Sequence, residues 1–118
     1  MKTLYHPPLE SVQVESILHA LADRVRVAIF MDISASECPL TCSTFLKIHE
    51  KPIPKSTLSL HFRILREAGL IRSVRQGVEM HNTSRCKEID SLFPGLLQSI
   101  VNAHKIQLEG QQRGVSTY

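Results

Sequence analysis

The stretch PKSTLSLHFRILREAGL, residues 54–70, separates its side chains by type along a helical period. Leu58, His61, Phe62, Leu65 and Ala68 fall at i, i+3, i+4, i+7 and i+10 and so share one helix face. Lys55, Ser56, Ser59, Leu60, Arg63 and Arg66 take the opposite face. Pro54 suits the start of a helix, where its missing N–H has no intrahelical partner to lose. Gly69 stands where a helix closes in the left-handed conformation that glycine tolerates best. The segment predicts one short amphipathic helix, with an abrupt stop and a polar, basic outer side.

The residues after this helix change period. LIRSVR at 70–75 alternates like a strand, with Leu70, Ile71 and Val74 as its apolar positions. Gln76-Gly77 makes a turn and residues 78–82 return, which predicts a two-stranded hairpin carrying arginines. Upstream, Phe45, Leu46 and Ile48 mark a short helix over about 43–50, followed by a Pro-rich turn at 51–54. A short helix, a turn, a second helix and a basic hairpin make the order of a winged helix-turn-helix.

The flanks complete the fold. The first ten residues, which include Pro7-Pro8, read as an extended arm. Val12, Val14, Ile17, Leu18 and Leu21 recur at helical spacing. Asp23 is a suitable N-cap for a second helix with Val25, Ala28, Ile29 and Ile33 inward, and SASECPL (34–40) reads as a loop. Thr83 or Ser84 can cap a short helix at 85–92, and a last helix at about 96–110 lines up Leu97, Ile100, Val101, His104 and Leu108. The fold class expected is mainly α with a small β-hairpin: five to six helices plus a two-stranded wing. Residues 11–110 form the folded unit and 111–118 a disordered tail.

Composition narrows the function. The chain has 118 residues, suited to one domain, and 42% apolar residues without Trp, so Leu, Ile and Val build the core. No apolar run approaches the ~20 residues that cross a bilayer, and MKTLYHPPLE lacks the apolar stretch of a signal peptide. The expectation is a cytoplasmic protein without a membrane partner. Net charge is +3 but unevenly placed: residues 51–85 hold seven basic and two acidic side chains, leaving −2 for the rest. A basic segment on a slightly acidic body is the footprint of a phosphate-binding face.

Double-stranded DNA fits these features. A helix enters the major groove and its N-terminal half approaches base edges. Short hydroxyl side chains at Ser56, Thr57 and Ser59 let the backbone come close, while Lys55 and Arg63 supply charge. Leu60 can pack on a thymine methyl group. On the hairpin, Arg72, Arg75 and Gln76 can reach an adjacent backbone or groove. The competing use of the same fold is a protein–protein module, which calls for an apolar or acidic outer face rather than Lys55, Ser59 and Arg63 around a single leucine. No Gly-rich phosphate loop, HExxH or GxSxG supports an enzyme, and no catalytic residue is assigned.

PKSTLSLHFRILREAGLIRSVRQGVEMHNT resembles the recognition helix and wing of the arsenic-repressor-type (ArsR/SmtB) bacterial regulators, and ALADRVRVAIF resembles their A-L-A-D-P-x-R-L-x-I-L segment. Leu60 stands where the family has the first histidine of a pair, His61 matches the second, and Arg24 replaces a proline. The resemblance implies a homodimeric repressor that reads a near-palindromic operator and leaves it when an effector binds. It also implies a dimer interface made by the first and last helices, and a supporting role for Arg26.

The effector stays open among thiol modification, a small organic ligand and a metal. Neither metal-site pattern of that family is intact: Cys38 and Cys42 are spaced C-x-x-x-C around a proline, and His104 has only Glu109 beyond it, on a different face. No metal ligand and no cofactor are assigned. Cys42, Cys38 and Cys86 are the candidate effector or redox groups.

Overall fold

A computed structural model describes residues 4–36, 40–41, 47–48 and 51–112. After an extended start, Leu9–Ser11 makes one 3₁₀ turn. Helix α1 (Val14–Ala20) buries Ile17 and Ala20, while Leu18 of the predicted apolar series points out. Helix α2 (Arg24–Ala35) starts where Asp23 places it: Asp23 Oδ1 accepts from the backbone N–H of Val25 at 2.8 Å and of Arg26 at 3.1 Å. Ile29 and Ile33 are buried as expected, joined by Val27, Phe30 and Arg26, while Val25 packs half-buried against the core and Ala28 is half-buried.

Helix α3 (Lys55–Glu67) begins one residue after Pro54, whose carbonyl accepts the Leu58 N–H. Leu58, His61, Phe62 and Leu65 are buried, as the periodicity requires. The helix ends in a Schellman arrangement: Gly69 N–H donates to Arg66 C=O and Leu70 N–H to Leu65 C=O, each at 3.0 Å. Gly69 holds φ at +88°, and a Cβ there would stand 2.7 Å from Val12 Cγ2. Glycine is thus required twice, by its backbone angle and by the packing of the chain that leads into α1.

The wing is strands β4 (Ile71–Gln76) and β5 (Glu79–Ser84), paired antiparallel with Gln76 opposite Glu79 across a two-residue turn. A further strand, β1 (Leu40–Thr41), pairs with β5, so the sheet order is β1-β5-β4 and β4 is an edge. SASECPL is therefore not all loop: Ser34 and Ala35 close α2 and Leu40 lies in β1. The helix expected over 43–50 does not include Lys47–Ile48. Lys47–Ile48 (β2) pairs with Lys51–Pro52 (β3), because Pro52 and Pro54 hold their preceding residues extended. The other residues of that expected helix lie outside the described ones.

Helix α4 (Cys86–Leu92) receives its first turn from Ser84, whose Oγ accepts the Cys86 N–H at 3.0 Å. Helix α5 (Leu96–Gln112) follows Gly95, with Leu97 buried and Ile100, Val101, His104 and Leu108 half-buried. It includes the first two residues of the expected tail, and the rest of that tail lies outside the described residues. One core unites these elements around Ile17, Ile29, Phe30, Leu65, Leu70, Ile71 and Ile89, all fully buried.

Replacing Gly69 with alanine is expected to lower stability by at least ~1–2 kcal/mol, the cost of one left-handed residue with a side chain, because the added Cβ also meets Val12. Urea unfolding of the variant checks this, with the midpoint falling at unchanged slope. An unmoved midpoint contradicts the assigned helix end.

Candidate nucleic-acid interface

The outer side of α3 is open. Lys55, Ser56, Thr57, Ser59, Leu60 and Arg63 are all exposed, and Leu60 shows 49% of its surface. The arrangement follows from the helix period: once Leu58, His61, Phe62 and Leu65 enter the core, Lys55, Ser59 and Arg63 must face away from it. Arg63 Nε lies 3.4 Å from Glu67 Oε2 one turn on, an exposed pair that contributes little to stability.

The structure also exposes Arg72, Arg75 and Gln76 on the wing, but it treats the two arginines differently. Arg72 NH2 contacts Glu88 Oε1 at 3.3 Å, and Glu88 Oε2 takes Arg85 NH2 at 3.1 Å. Hydrogen bonding from Arg85 first, and the charges of Arg85 and Arg72, hold the Glu88 carboxyl below its ordinary pKa despite opposing desolvation. Val78, at the turn, is 95% exposed.

The alternation in β4 differs from the expected one. Ile71 and Ser73 face inward, while Val74 faces solvent. Ser73 is accommodated by a polar pairing: its Oγ donates to Asn82 Oδ1 at 2.7 Å, and Asn82 Nδ2 donates to the Met80 carbonyl at 3.2 Å. A buried serine opposite a buried asparagine is satisfied as a pair, and no hydrophobic pattern discloses such a pair in the sequence.

Arg26 supports α3 from behind. Its guanidinium is buried, donating through Nε to the Ala20 carbonyl at 2.7 Å and through NH2 to His19 at 3.3 Å. NH1 lies 3.3 Å from His61 Nδ1 and 3.9 Å from Asp23 Oδ2. An arginine only donates, so His61 Nδ1 is the acceptor and the ring proton sits on Nε2. The end of α1, the start of α2 and the inner face of α3 are thereby joined at one cation.

Cys86 is half-buried in the first turn of α4. Cys38 and Cys42 lie outside the described residues. Among the described residues no group of three His, Cys, Asp or Glu side chains is placed to hold a metal, and no helix is long and apolar enough to cross a membrane.

Comparison with known proteins places this geometry. Residues 21–74, from the end of α1 into β4, match the model of a family described as a helix-turn-helix domain. Over 85 residues the chain is 33% identical to a Bacillus subtilis (strain 168) protein named "Uncharacterized HTH-type transcriptional regulator YceK", covering 71% of this chain and 82% of that one. The chain belongs to the HTH-type transcriptional regulators. Its fold is similar to that of an ArsR-like transcriptional regulator from Rhodococcus sp. RHA1, with a TM-score of 0.55 at 19% identity over 88% of this chain and 93% of the other. An HTH-type regulator works by binding DNA rather than by catalysis.

His61 gives this regulator a pH-dependent stability. Burial first, and the Arg26 charge beside it, lower its pKa below 6.5, with Asp23 opposing. Between that lowered value and 6.5 the unfolded chain binds the proton and the folded chain does not, so stability falls as pH drops through this window. Urea midpoints from about pH 7.5 to about pH 5 are expected to decline less in His61→Asn, which keeps an acceptor near Nδ1 without titrating. Equal declines in the two proteins contradict the assignment.

Proposed function

We propose that this HTH-type regulator is a repressor. It binds a near-palindromic operator as a homodimer, with α3 in the major groove and the β4–β5 wing on the adjacent backbone. The observation that carries the reading is the exposure of Lys55, Ser56, Thr57, Ser59, Leu60 and Arg63 on α3 while the other side of the helix is buried. Ser56, Thr57 and Ser59 are short enough to bring the helix N-terminus against the duplex, where its dipole favours phosphate. Lys55 and Arg63 neutralise charge, and Leu60 is free to meet a thymine methyl group. On the wing, Arg75 and Gln76 are the backbone contacts, with Arg72 shared between Glu88 and the duplex.

A homodimer is supported by apolar surface on the first and last helices. Leu18 on α1 is exposed, and Ile106 on α5 shows 67% of its surface. One module of this size buries a modest area on DNA, whereas two, with their α3 helices ~34 Å apart, read two half-sites. Effector release is supported more narrowly: Cys86 lines a cavity of about 380 Å³ between α2, β5 and α4, together with Ser34, Thr83 and Lys87. Thiol modification or an organic ligand there would press directly on the base of the wing.

Selection of bound sequences from a random duplex pool tests the reading, run with and without thiol oxidant and added metals. A two-fold symmetric consensus is expected. Ser59→Ala combined with Arg63→Ala should weaken the selected duplex by ~1–3 kcal/mol per lost base contact while leaving the urea midpoint in place. Arg75→Ala should weaken all duplexes alike and reduce the salt slope by about one. A double variant that binds like wild type places the reading face elsewhere.

A further inference from the structure

The N-terminal arm meets the wing at two points that the DNA-reading account does not use. His6 Nε2 accepts a 2.9 Å hydrogen bond from the Ser73 backbone N–H. The next carbonyl, that of Pro7, accepts from Arg85 NH1 at 2.9 Å, and this arginine is buried. Strand β4 is the edge of the sheet, and an edge leaves alternate N–H groups without a ladder partner. At Ser73 the arm fills that role with a side chain. The choice of side chain matters, because an imidazole nitrogen accepts a hydrogen bond only while it carries no proton.

The charged groups packed about this ring come from three elements. Arg66 belongs to α3, Arg72 to β4, and Arg85 to the junction of β5 and α4. The carboxylate of Glu88 on α4 is bonded to both Arg72 and Arg85 and so is already engaged. Protonation of His6 would break its bond to Ser73 and set a further cation among three arginines. Arg72 adjoins Ser73 in β4 and also belongs to the proposed DNA face, so movement at Ser73 is movement of the wing.

Resting on the DNA-binding reading above, we propose that His6 is a positioning residue of the reading head. While neutral it ties β4 to the arm and fixes the wing against α3; once protonated it releases the wing. Desolvation chiefly, then the charges of Arg72, Arg66 and Arg85, lower the His6 pKa below 6.5, with a backbone hydrogen bond to Leu4 opposing them. The tie is therefore complete at neutral pH and is lost as pH falls through that lowered value. His6 lies outside the recognition helix and the hairpin, and only the fold brings it to β4.

The test uses the full chain and the variant His6→Gln, whose amide oxygen reaches the same N–H but does not titrate. The Ser73 amide is followed by NMR and hydrogen exchange from about pH 7.5 to about pH 5. In wild type the amide shift should track the titration of the His6 ring, with protection lost on the acid side, and in His6→Gln it should stay unmoved. Binding to a random-sequence duplex at constant ionic strength gives the second readout. The affinity of wild type relative to His6→Gln should fall roughly fivefold over the same range, the worth of one hydrogen bond. The added positive charge alone would raise that ratio, so a flat or rising ratio overturns the positioning role. A Ser73 amide that ignores the His6 titration overturns the tie itself. If Ser73 titrates as expected but neither protein binds duplex at any pH, the DNA-binding reading is what has failed.

Discussion

The two-sidedness of α3 governs this molecule. Leu58, His61, Phe62 and Leu65 are drawn into the core with Ile17, Phe30 and Ile71, and burying such side chains contributes ~1.5–3 kcal/mol for each large apolar one. The helix period leaves no freedom after that. Lys55, Ser59 and Arg63 stand outside because their neighbours stand inside. A helix that is charged and hydroxylated outward, closed by a left-handed glycine and followed at once by a hairpin, can enter a groove without being re-formed. The proposed function follows from packing: the same burial that stabilises the domain leaves the proposed DNA-reading side of α3 exposed.

Arg26 holds that helix at its middle, through His61, and Gly69 closes its C-terminal end. Arg26 joins α1, α2 and α3 through carbonyls, Asp23 and His61, so a rotation of α3 would take the His61 acceptor from a buried guanidinium group. Gly69 lets the chain turn sharply enough for Leu70 and Ile71 to reach the core and for Val12 to pack against the turn. The wing then inherits its position from α3, and its base is secured again by Arg85 and Glu88. These are short-range constraints, each involving a few atoms, yet together they set where the wing arginines lie.

Much of this was legible in the residues. Period 3.6 in residues 54–70 gave the inner face of α3, Asp23 gave the start of α2, and Gly69 gave the end of α3. The hairpin was legible from its alternation and its Gly77 turn, whereas its register was not, because the buried Ser73 and exposed Val74 reverse the hydrophobic cue. At Lys47–Ile48 the apolar spacing covers too few residues to separate helix from strand, and the segment is strand. His6 and Pro7 could not be found at all: their importance comes from contacts with residues far along the chain, such as the one between His6 and Ser73. Arg72 was legible as a basic wing residue but not as a partner of Glu88.

The central claim is that the outward side of α3, with the wing, is the surface that meets DNA. Backbone amide shifts of the labelled protein, recorded while a random-sequence duplex is added, test it most directly. The largest changes should gather at residues 55–63 and 72–78 and vanish at high salt. Changes centred instead on α1 and α5, with residues 55–63 unmoved at saturation, would contradict it.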